Sequence, residues 1–158
     1  MSSYINFYLK VEDKYCPIGT YSRNCPEYRF FKNIVPLEKI ASISVKKLQA
    51  VIEDIEFAIN NEMKSIENYS LNIKDIKTFN NSISEKMELI EDYRDTINEL
   101  KEDLEANKNC LNFVNWLIEI LADIKYSYYA NKHNIIQDNY LWAGIEANPK
   151  EEDDKDAE

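Results

Sequence analysis

The sequence predicts an α+β protein that is mainly α, with an N-terminal β-hairpin and a short helix packed on one end of a long antiparallel helical hairpin. Residues 4–11 alternate apolar and polar side chains, which is typical of a half-buried strand. Residues 45–130 carry apolar side chains at heptad spacing, which indicates paired helices. The chain of 158 residues has only two glycines, which argues against phosphate loops and turn-rich all-β folds.

The β-hairpin is predicted from residues 4–11, the polar turn Glu12-Asp13-Lys14 and the run YCPIGTY that follows. Pro17 and Gly19 interrupt this run. Because proline has no N–H to donate to a ladder, the second strand is expected to be short, bulged or at a sheet edge.

A short helix is predicted after the hairpin. Asn24 precedes Cys25-Pro26-Glu27, which fits an N-cap followed by proline in the first turn. Pro36 is expected to end the helix, since proline cannot continue it. Its anchoring side chains would be Tyr28, Phe30, Phe31 and Ile34.

Two long helices are predicted over residues 45–79 and 83–130. Ser44 can cap the first, and Ser82 with Glu85 forms a capping box for the second. The first seam has one polar member, Glu62. Two alternatives stay open, a break of the first helix near residues 68–70 and a kink or new helix at residues 106–109.

The second helix becomes strongly apolar after residue 110, and its end would overhang the shorter first helix. The natural cover is a head formed by residues 1–44. The segment 134–147, which contains NYLWAGIE, is predicted to be extended or a strand and to lie against this head. We therefore expect a single domain over residues 1–147. Residues 148–158 are read as a disordered acidic tail.

Charge and cysteine content favour a soluble cytoplasmic protein. The formal net charge is −10, and the charge is unevenly spread, with the acidic excess in residues 51–107. The N-terminus MSSYINFYLK lacks the pattern of a secretory signal, and no stretch is apolar enough for a membrane span. The odd number of cysteines suits a reducing compartment: Cys16, Cys25 and Cys110.

Catalytic chemistry is not predicted. The single histidine, His133, follows an aromatic stretch and is read as a helix-end residue, and a pair with Cys25 or Cys110 has no local support. The cysteines and carboxylates do not have the spacing of a metal site. We expect a protein without catalytic residues, metal or cofactor.

Two surfaces are candidates for binding. In the head, basic residues are interleaved with aromatic ones: Tyr8, Lys10, Lys14, Tyr15, Tyr21, Arg23, Tyr28, Arg29, Phe30, Phe31 and Lys32. A pocket at Tyr21, Arg23, Tyr28 and Arg29 could hold a small anionic nucleotide. In the second helix, carboxylates that include Glu99, Glu102 and Asp103 would repel nucleic acid and could dock on a basic protein surface. Association of the chain with itself through seam or overhang surfaces is also expected.

Three features of the sequence support a resemblance to known proteins. They are the opening YINFYLKVEDKYCPIGTYSRNCPEYRFF, the Ile-rich paired helices and the closing DNYLWAGIE. In these features the chain resembles small accessory proteins of phages and mobile elements in low-GC Gram-positive bacteria. The resemblance implies an anti-defence role, in which the chain binds and inhibits a host protein by occlusion, as anti-CRISPR proteins do. The alternatives are a sponge for a signalling nucleotide and a structural coiled-coil assembly protein.

Overall fold

The computed structural model describes residues 3–78, 82–126 and 140–147. Its fold class is the predicted one, α+β and mainly α. The described residues form two compact units, a sheet unit within Met1–Asp54 and Asn112–Glu158 and a helix unit, Ile55–Leu111. The single domain over residues 1–147 stays a prediction, and the acidic tail at 148–158 lies outside the described residues. The elements are β1 (Ser3–Val11), β2 (Lys14–Ser22), α1 (Pro26–Phe31), β3 (Ile40–Ser42), α2 (Val45–Thr78), α3 (Ile83–Tyr126) and β4 (Leu141–Ala147).

Strands β1 and β2 form the predicted hairpin. Glu12 and Asp13 connect them with φ of 51° and 67°, the left-handed pair that a two-residue hairpin turn of type I′ requires. The register shifts between Phe7 and Tyr8, which leaves Ile18 as the extra residue of a bulge. β2 is an edge strand of the sheet, so the expected bulge and edge position are confirmed, although the strand is nine residues long.

The sheet has the order β2-β1-β4-β3 and all its strand pairs are antiparallel. The sequence NYLWAGIE supplies β4, so this segment is a strand, which was one of the two alternatives predicted. Strand β4 lies between β1 and β3 in the sheet. Residues 134–139 lie outside the described residues. Strand β3 has only three residues, and the sequence pattern did not predict it.

The core of the sheet unit centres on Phe7, which is fully buried. Its ring lies 5.0 Å from Phe31 of α1, 5.2 Å from Phe113 of α3 and 6.1 Å from Tyr21 of β2, all edge to face. Aromatic rings prefer this arrangement because the positive ring edge meets the negative ring face. One face of the sheet is therefore closed by aromatic contacts with helical residues.

Helix α1 begins one residue later than predicted. Its N-cap is Cys25, in extended conformation and without a side-chain capping hydrogen bond, so the prediction of Asn24 was wrong. Pro26 takes the first helical position, where its missing N–H costs nothing. The helix also ends early, at Phe31, whose carbonyl oxygen accepts the N–H groups of both Ile34 and Val35.

The two long helices are continuous. Helix α2 runs through residues 68–70 and α3 runs through residues 106–109, so the alternatives of a break at these points were wrong. Both predicted caps are present, since Ser44 Oγ accepts the N–H of Lys47 at 3.2 Å and Ser82 Oγ accepts that of Glu85 at 3.3 Å. Residues 79 and 127–130, predicted as helical, lie outside the described residues.

Within the helix unit, α2 and α3 run antiparallel. The Tyr69 and Tyr93 rings lie 5.6 Å apart, and Asn107, only 2% exposed, donates a hydrogen bond to the carboxylate of Glu62. A polar pair in an apolar seam costs stability but favours one register, because any slip would break the hydrogen bond between the two side chains. The remaining seam is aliphatic and includes Ile55, Ile59, Ile76 and Ile97.

The hairpin turn offers a first test. We expect Asp13→Gly to raise the free energy of unfolding by about 0.5–1 kcal/mol, because glycine adopts positive φ without a steric cost. Thermal unfolding should show this as a rise of about 2–4 °C per kcal/mol for a chain of this size. The matched control is Asp95→Gly at an exposed position inside α3, which should lower stability. A loss of stability at Asp13→Gly would contradict the assigned turn.

Gly144 of β4 offers a second test. A Cβ there would meet Ile40 Cγ2 and the Lys39 carbonyl oxygen, both at 2.8 Å. We expect Gly144→Ala to cost about 1–3 kcal/mol, because β3 must shift to admit the methyl group. The control Gly19→Ala brings its Cβ to 3.0 Å from the end of the Tyr21 ring, which can move, so its cost should be smaller. Chemical denaturation of both variants ranks them, and the reverse order would refute the close packing of β4 on β3.

Candidate functional site

The face of the sheet opposite Phe7 is the candidate site. Successive side chains of a strand alternate between faces, so Asn6, Tyr8 and Lys10 lie opposite the buried Ile5 and Phe7. The registers with β2 and β4 bring four further residues to these three. We call this surface the outer sheet face, and it consists of Asn6, Tyr8, Lys10, Tyr15, Thr20, Trp142 and Glu146.

Three aromatic rings and one lysine form a cluster on the outer sheet face. The Tyr15 ring lies 5.5 Å from Trp142 and 6.1 Å from Tyr8, edge to face in both cases. The ammonium of Lys10 lies 4.9 Å from the Trp142 ring centroid and 5.4 Å from that of Tyr15, within the range of cation–π attraction. We call Tyr8, Lys10, Tyr15 and Trp142 the aromatic–lysine cluster.

A row of polar side chains crosses the same face beside the cluster. Thr20 Oγ1 donates to Asn6 Oδ1 at 2.8 Å, and Asn6 Nδ2 donates to Glu146 Oε1 at 2.7 Å. These bonds satisfy Asn6, which is only 8% exposed although it is polar. Burial, followed by the nearby charge of Glu146, raises the pKa of Tyr8 above its ordinary value, so Tyr8 keeps its phenolic proton at neutral pH.

The four head residues predicted to bind a nucleotide lie on two elements. Tyr21, on β2, contacts the core rings of Phe7 and Phe113, the latter at 5.0 Å. Arg23 follows β2 and is exposed, and its backbone N–H donates to the Ser3 carbonyl at 3.0 Å. On α1, Tyr28 is half-buried and Arg29 is exposed, with its guanidinium 5.2 Å from the Phe30 ring centroid. A common pocket of these residues stays a prediction.

The predicted acidic residues Glu99, Glu102 and Asp103 are all exposed on α3. Helical spacing places them on one side of the helix with four further exposed carboxylates, over roughly 22 Å at 1.5 Å per residue. The basic residues of this stretch lie on other sides of the helix. We call this set the acidic stripe, and it consists of Glu88, Glu91, Asp92, Asp95, Glu99, Glu102 and Asp103.

The chain matches no protein-family model, no curated protein and no solved structure. Function must therefore be argued from the site alone. None of the helices in the described ranges is both long and apolar enough to cross a bilayer. Within residues 3–78, 82–126 and 140–147, no three histidine, cysteine or carboxylate side chains are grouped to hold a metal ion.

The thiols are spread over three environments. Cys16 is exposed on β2, and Cys110 is buried in α3. Cys25 is half-buried at the start of α1, with its sulfur 3.5 Å from Ser22 Oγ. His133 lies outside the described residues, so its predicted position at a helix end is not tested.

Sequence reasoning named three members of the cluster as part of a wider aromatic–basic mixture in the head, but it missed Trp142. The run NYLWAGIE was predicted only as a strand or an ordered segment laid against the head. Its alternation does carry a signal, since Trp142 and Leu141 must point to opposite faces of any strand. The pairing of Tyr8 with Trp142 depends on strand order, which the local pattern does not contain.

Glu27 is a buried carboxyl group on α1, with 7% of its surface exposed. Burial raises its pKa, although its own backbone N–H and the charge of Arg29 act in the opposite direction. The folded state therefore binds this proton more tightly than the unfolded state. Stability from this group is present at acid pH and is lost as pH rises through the raised pKa.

We expect Glu27→Gln to raise the melting temperature at neutral pH, because the variant buries no charge. The difference from the unaltered protein should shrink as pH falls toward the ordinary range of a glutamate. Melting curves between pH 4 and about 7 measure this, with the same substitution at an exposed site on α2, Glu56→Gln, as the matched control. A variant that melts lower at neutral pH would show instead that the Glu27 carboxylate stabilises the fold.

Proposed function

We propose that the chain is a non-catalytic binding protein that applies its outer sheet face to a basic surface of a partner protein and blocks that surface. In the setting that the sequence resemblance implies, the partner is a host protein and the chain is its stoichiometric inhibitor. The observation that carries the proposal is the aromatic–lysine cluster.

The composition of the cluster suits a protein interface. Tyrosine and tryptophan are the residues most enriched among side chains that dominate binding energy, because each buries a large area and loses little side-chain entropy. Tyr15 is 38% exposed, and its ring is held edge to face by Trp142 and Tyr8. A partner would meet rings that are already positioned, which lowers the cost of ordering them on binding.

Charge favours a basic partner. Glu146 lies on the outer sheet face, and the exposed Glu12 and Asp13 lie in the adjoining hairpin turn. The whole chain carries a formal charge of −10, which attracts a basic protein over a distance and repels phosphate groups. The acidic stripe adds to this long-range attraction. In this proposal it speeds encounter, while the outer sheet face makes the close contacts.

The test begins with the chain as bait in a lysate of a low-GC Gram-positive host, followed by reconstitution with the purified captured protein. We expect Tyr15→Ala and Trp142→Ala each to weaken binding at least tenfold, which corresponds to about 1.4 kcal/mol. The matched controls are Phe57→Ala and Trp116→Ala, two exposed aromatic residues on the helices, which should change Kd less than about twofold.

Kinetics separate the two surfaces. Reversing Glu99, Glu102 and Asp103 to lysine should slow association, most strongly at low salt, and leave dissociation nearly unchanged. The cluster variants should instead speed dissociation. A partner that both cluster variants bind with unchanged Kd would refute the proposal. In native mass spectrometry, a bound mass of a few hundred daltons per subunit would favour the nucleotide sponge instead.

A further inference from the structure

We infer that the aromatic–lysine cluster is a cation-binding cage in which Lys10 occupies the place of an arginine side chain of the partner. This inference rests on the proposed function and names the contact at its centre. The group that binds in the corner between the Tyr15 and Trp142 rings is a guanidinium.

The geometry of the rings is that of an open cage. The Tyr15 and Trp142 rings stand at 78° to each other with centroids 5.5 Å apart, so they form a corner rather than a flat stack. The Lys10 ammonium lies within 5.4 Å of both centroids. A cation within about 6 Å of a ring centroid is attracted by the ring quadrupole, and two rings add their attraction.

The Lys10 ammonium can be displaced from the Tyr15 and Trp142 rings. The Lys10 side chain is half-exposed, and its ammonium is carried on a flexible chain of four carbons. Exposed cation–π contacts are weak, so the ammonium can move into water at small cost. A guanidinium is planar and more weakly hydrated than an ammonium, and it stacks on aromatic faces, which makes arginine the better occupant of the corner.

Local charge also favours a cation. The Glu146 carboxylate lies on the same face, held by Asn6 through one oxygen, and its charge acts on Tyr8, the third ring of the cluster. Tyr8 and Trp142 are direct partners in the register of β1 and β4. An incoming guanidinium therefore meets two aromatic rings, on a sheet face that also carries the Glu146 carboxylate.

The test uses N-acetyl-arginine amide as the probe and the indole of Trp142 as the reporter. Trp116→Phe leaves Trp142 as the only tryptophan, since the chain has two, and NMR then follows its indole N–H during titration. We expect a saturable shift of this signal. N-acetyl-norleucine amide, which has no charge, should cause none.

Variants at two neighbouring lysines decide the role of Lys10. Lys10→Ala should bind the arginine probe at least threefold more tightly, because the shortened side chain no longer covers the two rings. Lys14→Ala, at an exposed site in the same hairpin, removes the same charge and should leave the affinity unchanged. Tyr15→Leu should abolish the shift in either background, and its backbone amide spectrum shows directly whether the sheet is still folded.

Two results would overturn the inference. One is the absence of a saturable shift at Trp142 in the Lys10→Ala variant, and the other is an equal gain for Lys10→Ala and Lys14→Ala, which would indicate general electrostatic attraction. The proposed function fails separately, by unchanged partner binding in Tyr15→Ala and Trp142→Ala. Loss of partner binding in those variants without arginine binding would retain the proposed function and remove the cage.

Discussion

The insertion of β4 between β1 and β3 is the constraint on which the sheet unit depends. β1 and β2 alone would be a two-stranded hairpin, which is marginally stable in water. β4 adds the central ladder, and its backbone bonds also fix the segment before β3, where Ile145 accepts the N–H of Glu38 at 2.8 Å and donates to the Pro36 carbonyl at 3.1 Å. Glu38 takes a positive φ of 57° at this point. The hydrogen bonds that hold β4 to this segment therefore require a strained backbone conformation at Glu38.

The same insertion creates the candidate site. Trp142 and Glu146 reach the outer sheet face only when β4 pairs with β1, across a separation of 140 residues for the bond from Asn6 to Glu146. Contacts this distant in sequence form late and carry a high loop-closure cost. On the opposite face, the rings around Phe7 hold β1 in place. The position of the cluster therefore depends on a packed core directly beneath it.

Local patterns in the sequence were enough to predict most of the elements. Alternation found β1, heptads found α2 and α3, and the hydroxyls of Ser44 and Ser82 were correctly identified as caps. The continuity of α3 past Asn107 followed from an unbroken seam, in which Asn107 found a polar partner on α2. These features succeed because each depends on neighbours within a few turns of the chain.

Features that depend on distant partners could not be predicted in the same way. Strand β3 is too short to show a periodic pattern, and it exists because β4 offers a free edge for Ile40 to pair with. The N-cap of α1 moved from Asn24 to Cys25 because Pro26 takes the first helical position, which leaves the residue before it as the cap. The outer sheet face required the strand order, so its residues were named only as part of a larger set.

The outer sheet face combines exposed aromatic rings with an open sheet edge, and Lys10 lies over two of these rings. Exposed aromatic rings on a sheet with an open edge favour association between chains. The bulge and Pro17 on β2 make that edge a poor template for further strands, and the Lys10 ammonium covers two of the rings with a charge. A lysine is a weak and movable cover, unlike an apolar side chain packed on the rings. In the cage proposed above, the Lys10 ammonium is the cover that the partner's guanidinium replaces.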